Sequence, residues 1–166
     1  MNKFLVVMFV MFISSVGYAQ NEEDFSCPEE LKVLGKMIFK SVQNENLSDY
    51  KKYIVTEQDV DTMAKYHNFT IEEIDMTKAG VRYCSVGSEK DFNRVLKQGK
   101  GQGIDWNKAE LVDFMCVIRG QEHAPQGELV LDCKYNETRF GILLGVVAIK
   151  NEWLLFGVTE LLMQGL

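Results

Sequence analysis

The sequence predicts an α+β domain in which N-terminal helices pack on a curved four-stranded antiparallel meander. Residues 28–96 place apolar side chains at helical spacing behind repeated Ser/Thr caps. Residues 109–160 change to a period of two, the spacing of half-buried strands. Helices first and strands afterwards belong to α+β architecture, since alternation of the two would signal a parallel sheet.

The chain opens with a leader pattern. Lys3 supplies a positive charge, residues 4–13 are an unbroken apolar run, and 14–19 are mostly small, with Gly17 and Ala19 at the positions signal peptidase requires. Ten apolar residues are too few to span a bilayer. The expected organisation is a removed signal peptide, 1–19, and a single exported domain, 20–166, periplasmic or secreted. Losing Lys3 leaves 17 basic against 24 acidic residues, a mature charge of −7. That balance argues against nucleic acid and anionic membrane surfaces, which reward clustered Lys and Arg. No later apolar segment approaches spanning length, so no membrane association is expected after cleavage.

Cys27, Cys84, Cys116 and Cys133 allow disulfides in an exported chain, with the pairing left open. None forms a CxxC, so neither a zinc ribbon nor a thioredoxin-type site is indicated, and no metal or cofactor is expected. The sequons at Asn46, Asn68 and Asn136 would matter only in a eukaryotic secretory pathway and read as chance.

In the helical part, Ser26 with Glu29 forms a capping box ahead of a helix at 28–43, with Pro28 in its first turn. Leu31, Leu34, Ile38 and Val42 form its apolar stripe, which Val33 and Met37 widen. Ser48 is the expected cap of a short helix at 49–54. Thr56 with Asp59 caps a helix carrying Val60, Met63, Ala64 and His67, Thr70 with Glu73 a third, and Ser88 with Asp91 a fourth carrying Phe92, Val95 and Leu96. The glycine-rich 99–103 stretch follows a helix and precedes a strand, the reverse of a phosphate loop, and reads as a flexible link. His67 closes an apolar stripe as a half-buried residue or a pocket base. His123 sits in a turn-rich loop.

The first strand, 109–119, offers Val112, Phe114, Cys116 and Ile118 as an apolar inner row. The second alternates Leu129, Leu131, Cys133 and Tyr135 inward, so Cys116 and Cys133 fit either a cross-strand disulfide or two packed thiols. Asn136-Glu137 turns into a third strand apolar on both faces, and residues 150–152 turn into a fourth at 153–159. Phe140 and Ile142 face inward. Leu143, Val147 and Ile149, beside Gly141 and Gly145, make an outer face apolar enough to suggest a sheet-mediated homodimer.

The Gly103-Ile104-Asp105-Trp106 turn and Trp153 in the last strand resemble small exported bacterial proteins of unknown function with the nuclear-transport-factor-2-like (cystatin-like) fold. The resemblance implies a cone, a long helix wrapped by a curved sheet around an apolar pocket. Enzymes similar to it, such as ketosteroid isomerase and scytalone dehydratase, hold Asp, His or Tyr in that pocket. Here the inward strand positions Phe114, Leu131, Tyr135, Phe140 and Ile142 supply no carboxylate or histidine. The expectation is a non-catalytic binding or interaction domain for a small apolar molecule or a protein. The alternative is an isomerase- or dehydratase-like enzyme using His67, Tyr83 or Asp105 from the helical part. Trp106 and Trp153 are expected to anchor the core.

Overall fold

The computed structural model of the chain describes residues 27–67, 69–119, 125–150 and 152–163. The stretch expected to be a leader, Ser26, Asn68 and His123 lie outside the described residues. Helix α1 spans Glu29–Gln43, and α2 (Leu47–Lys51), α3 (Glu57–His67) and a long α4 (Ile71–Gly101) follow. A 3-10 turn at Trp106–Lys108 leads into β1 (Glu110–Arg119), β2 (Gln126–Tyr135), β3 (Thr138–Ile149) and β4 (Glu152–Met163). The strands pair antiparallel in chain order, so the chain builds the α+β meander its pattern announces.

Helix α1 buries Leu31, Leu34, Ile38 and Val42 as expected, while Val33 and Met37 point to solvent instead of widening the stripe. Gly35 sets the distance of approach. A Cβ there would lie 2.7 Å from the Phe114 ring and 2.8 Å from Leu131, so the helix backbone rests directly on β1 and β2. Gln43 Nε2 donates to the Ala109 carbonyl at 2.8 Å and ties the end of α1 to the start of the sheet.

Two expected caps are corrected. Asn46, not Ser48, caps α2. Its backbone is extended, and its side-chain oxygen accepts the Asp49 N–H at 3.1 Å, whereas Ser48 already lies inside the helix. Ser88 and Asp91 start no helix, because α4 runs unbroken for 31 residues behind the Thr70–Glu73 capping box. Mid-helix amides are already bonded, so the polar side chains serve another backbone. The Ser88 hydroxyl donates to the Gly157 carbonyl (3.2 Å), Asp91 accepts the Thr159 N–H (3.4 Å), and Arg94 donates to the Thr159 carbonyl (3.2 Å). Spacing of three residues puts all of them on one helical face, turned to β4.

The 99–103 stretch is not a flexible link either. Gly99 to Gly101 complete α4, and the Trp106 ring lies so close that a Cβ on Gly99 would come within 2.1 Å of it. Gly103, at φ +80°, makes the turn.

Two irregularities bend the sheet. In β1, Leu111 pairs with Cys133 and Asp113 with Asp132, leaving Val112 as an extra residue. The expected inner row is therefore broken. Leu111, Phe114 and Cys116 face the core, whereas Val112 is 45% exposed and Ile118, opposite side-chain-less Gly127, is also exposed. In β4, Leu155 pairs with Val146 and Thr159 with Leu144, so residues 156–158 stand against Gly145 alone, with Gly157 at φ +112°. That bulge carries the strand past its expected end at 159 to Met163.

The main core lies between the inner sheet face, α1, α2 and the C-terminal half of α4. A second cluster sits on the other face, at the β3–β4 hairpin end. There Val55, Val60 and Val81 cover Val147, Ile149 and Leu154. Cys27 and Cys116 form a disulfide, joining the entry of α1 to mid-β1. The cross-strand bond between Cys116 and Cys133 is ruled out by the register, which places Leu129 opposite the first and Leu111 opposite the second. Cys133 is a buried free thiol, and Cys84 a half-buried one.

Candidate functional site

Leu131, Phe140 and Ile142 are completely buried in the main core, with Phe114 and Tyr135 packed against them. Of these positions, expected to line a pocket, Phe114 and Leu131 lie against α1 at Gly35. The polar groups within this interior are satisfied or silenced. The Tyr50 hydroxyl meets Thr159 Oγ1 at 2.7 Å, and burial pushes its pKa up to about 12. Burial, aided by the Asp132 charge, raises the Cys133 thiol to about 12, so it is no thiolate nucleophile at neutral pH.

Of the acid–base candidates, Tyr83 and Asp105 are set apart by the length of α4. Tyr83 is 74% exposed in the middle of α4. Gly101 ends that helix roughly 27 Å along its axis from Tyr83 at 1.5 Å per residue, and Asp105 follows in the turn that sets Trp106 against Gly99. Asp105 caps the 3-10 turn, accepting the Asn107 N–H at 3.2 Å and pairing with Lys108. His67 is the last residue of α3, and its side chain is outside the described residues. Trp106 anchors the core as expected: its indole N–H donates to the Leu96 carbonyl at 3.2 Å and its ring meets Phe140 edge-on. Trp153 is half-buried against the same core. Among the described residues, no group of His, Cys, Asp and Glu is arranged to hold a metal ion.

Two surface features remain. One is a groove of about 510 Å³ outside the cone, where Ile54, Val55 and Val81 form the floor and Val86 one wall. The ion pairs Lys51–Glu89 and Arg82–Glu57 bridge from α4 to the opposite side.

The other is the outer sheet face. Of the three residues expected to present it, Val147 and Ile149 are buried under α3 and α4, and Leu143 is half-buried. The part left open lies further along the strands. Met115, Val130 and Leu143 form one row across β1, β2 and β3, flanked by Val117 and Leu162. Met115, Val117 and Leu162 are exposed. Glu160 ends this row on β4, Glu128 pairs with Val117 in one neighbouring row and Asp113 with Asp132 in the other, and all three carboxylates Asp113, Glu128 and Glu160 are exposed. Asp132 sits within the face, buried, with one carboxylate oxygen on Arg139 and the other without a hydrogen-bond partner. Sequence reasoning missed Met115, Val130 and Leu162. The alternation of Asp113, Met115 and Val117 held the signal, but the row exists only once the register is known.

No protein-family model matches the chain, and neither does any curated protein. Among solved structures, the chain is similar to a cystatin-like protein from Ruminococcus gnavus ATCC 29149, with 9% identity and a TM-score of 0.49. The likeness covers 83% of this chain and 45% of that one, so the chain spans less than half the length of the protein it resembles.

Proposed function

We propose that the protein is an exported, non-catalytic interaction domain that docks a protein partner on the open part of its outer sheet face. The observation that carries this reading is the apolar row Met115–Val130–Leu143 across β1, β2 and β3, which ends at Glu160 on β4 and has Val117 and Leu162 in the rows beside it. Grouped apolar side chains of this kind are costly to leave in water and mark association sites. The exposed carboxylates Asp113, Glu128 and Glu160 among these rows favour a partner that sets Lys or Arg beside its own apolar residues. Export is supported by the leader pattern and by the Cys27–Cys116 disulfide, which persists in oxidising compartments. A mature N-terminus at Gln20, read by mass spectrometry from the native host, tests that part.

The docking surface is tested with L143K/L162K, which charges the face at two positions away from β1. The variant should unfold at the wild-type temperature yet fail to retain the partner that the wild type co-purifies. Equal recovery of that partner by both proteins refutes the reading. A small apolar ligand is the second reading, supported by the groove beside α2. A hydrophobic dye bound there should be released by V86K, and dye binding insensitive to V86K removes it.

A further inference from the structure

The two edges of the sheet are treated differently. Strand β4 is closed along its outer side. Val55 N–H donates to the Leu155 carbonyl at 3.0 Å and Leu155 N–H to the Tyr53 carbonyl at 2.7 Å, while α4 side chains hold the backbone of Gly157 and Thr159. Strand β1 is the other edge, ten residues long, and no described strand pairs with its outer side. It contains neither proline nor lysine, and its bulge at Val112 leaves the 113–119 stretch regular. Val112, Met115, Val117 and Ile118 are all exposed along it. The Phe114 N–H is held by the adjacent Asp113 carboxylate at 2.8 Å rather than by another strand.

We propose that β1 pairs antiparallel with β1 of a second copy about a two-fold axis at Cys116, joining the two meanders into one continuous sheet. The register follows from the sequence of the strand. An isologous antiparallel pair must match residues equidistant from the axis, and matched side chains share a face. Centred on Cys116, the match sets Asp113 against the partner's Arg119, Phe114 against the partner's Ile118 and Met115 against the partner's Val117. Each pairing occurs twice. Centred on Met115 instead, Asp113 would face the partner's Val117, and centred on Val117, Met115 would face the partner's Arg119. Only the Cys116 axis joins opposite charges and apolar residues throughout.

This pairing also accounts for side chains that a lone chain leaves stranded. Ile118 keeps inward parity but lies uncovered, and the partner's Phe114 would cover it. Phe114 N–H would pass to the partner's Ile118 carbonyl, freeing the Asp113 carboxylate for the partner's Arg119. Cys116 keeps its sulfur on the inner side, bonded to Cys27, and so does not obstruct the edge. The proposal concerns the edge of the sheet and stands whether or not the outer face docks another protein.

The test is a charge exchange across the axis, read by sedimentation over a range of concentrations of the whole chain. D113R sets arginine against arginine twice, and R119D sets aspartate against aspartate twice. Each should raise the dimer Kd by about tenfold or more. The double variant D113R/R119D restores both pairs and should bring the Kd back towards the wild-type value. A simple loss of folding could not produce that recovery. A monomeric mass at every concentration overturns the proposal, as does a dimer indifferent to the single exchanges or not recovered by the double one. A dimer that only L143K/L162K dissociates overturns it as well and assigns association to the outer face.

Discussion

Breaking the Cys27–Cys116 bond is the perturbation whose size the fold determines most directly. The bond closes a loop over a sequence separation of 89 residues. In the chain-entropy treatment, a cross-link over that span removes about 15 cal/mol/K from the unfolded ensemble, or about 4.6 kcal/mol at 25 °C. A domain of this size is stable by roughly 5–15 kcal/mol in total, so the bond contributes a large share. Guanidinium unfolding of the wild type with and without reductant isolates the cross-link. The C27A/C116A variant should fall slightly further, because both positions are buried and the truncation adds a packing loss. Under denaturing, non-reducing conditions a thiol reagent should find two free groups, Cys84 and Cys133. Four reactive thiols, or a stability that moves by less than about 1 kcal/mol on reduction, would refute the reasoning.

Three further outcomes follow from particular contacts. Gly99→Ala drives a methyl into the Trp106 ring and should cost about 1–3 kcal/mol, with a red shift of tryptophan emission in the folded protein; an unchanged spectrum and midpoint would contradict the packing. Thr159→Val strands the buried Tyr50 hydroxyl and should cost about 1–3 kcal/mol, measured by thermal or denaturant unfolding. Thr70→Ala removes the α4 cap at about 1 kcal/mol. The same cap is pH-sensitive: hydrogen bonds from the Thr70 backbone and hydroxyl lower the Glu73 pKa. Glu73 therefore contributes stability that is complete above its unfolded pKa and lost as pH falls through the lower folded one. An NMR titration placing the Glu73 carboxyl at or above the ordinary glutamate value would contradict this.

The order of elements and most of the inner face were legible in the sequence because they rest on local periodicity. Leu31, Leu34, Ile38, Leu129, Leu131, Phe140 and Ile142 repeat at the spacing of their elements and are buried accordingly. What was not legible depends on partners distant in the chain. Ser88 and Asp91 have the spacing of a helix cap, and only the position of β4 shows that they bond a strand instead. A single extra residue at Val112 reverses the facing of Leu111 and Val112 relative to strict alternation, and bulges leave no periodic trace. The same holds for the outer face. Leu143, Val147 and Ile149 look equivalent along one strand, yet Val60 and Val81 cover two of them and leave the third partly open. The disulfide partner of Cys116 was equally out of reach, since Cys27 approaches it through the packing of α1 and not through any spacing.

The bonds from α4 and α2 to β4 also bear on how the molecule is assembled during synthesis. Ser88, Asp91 and Arg94 wait for backbone groups 65 to 69 residues later, and Tyr50 waits for a hydroxyl 109 residues later. Until residues near 159 leave the ribosome, the Tyr50 hydroxyl lacks its Thr159 partner and the edge of β3 has no neighbour. Such distant pairings make folding slow, because loop closure must precede the contacts that reward it. A nascent chain that stops short of Thr159 cannot complete these bonds. Late closure of this kind leaves the helices without their β4 partners until that strand has been made.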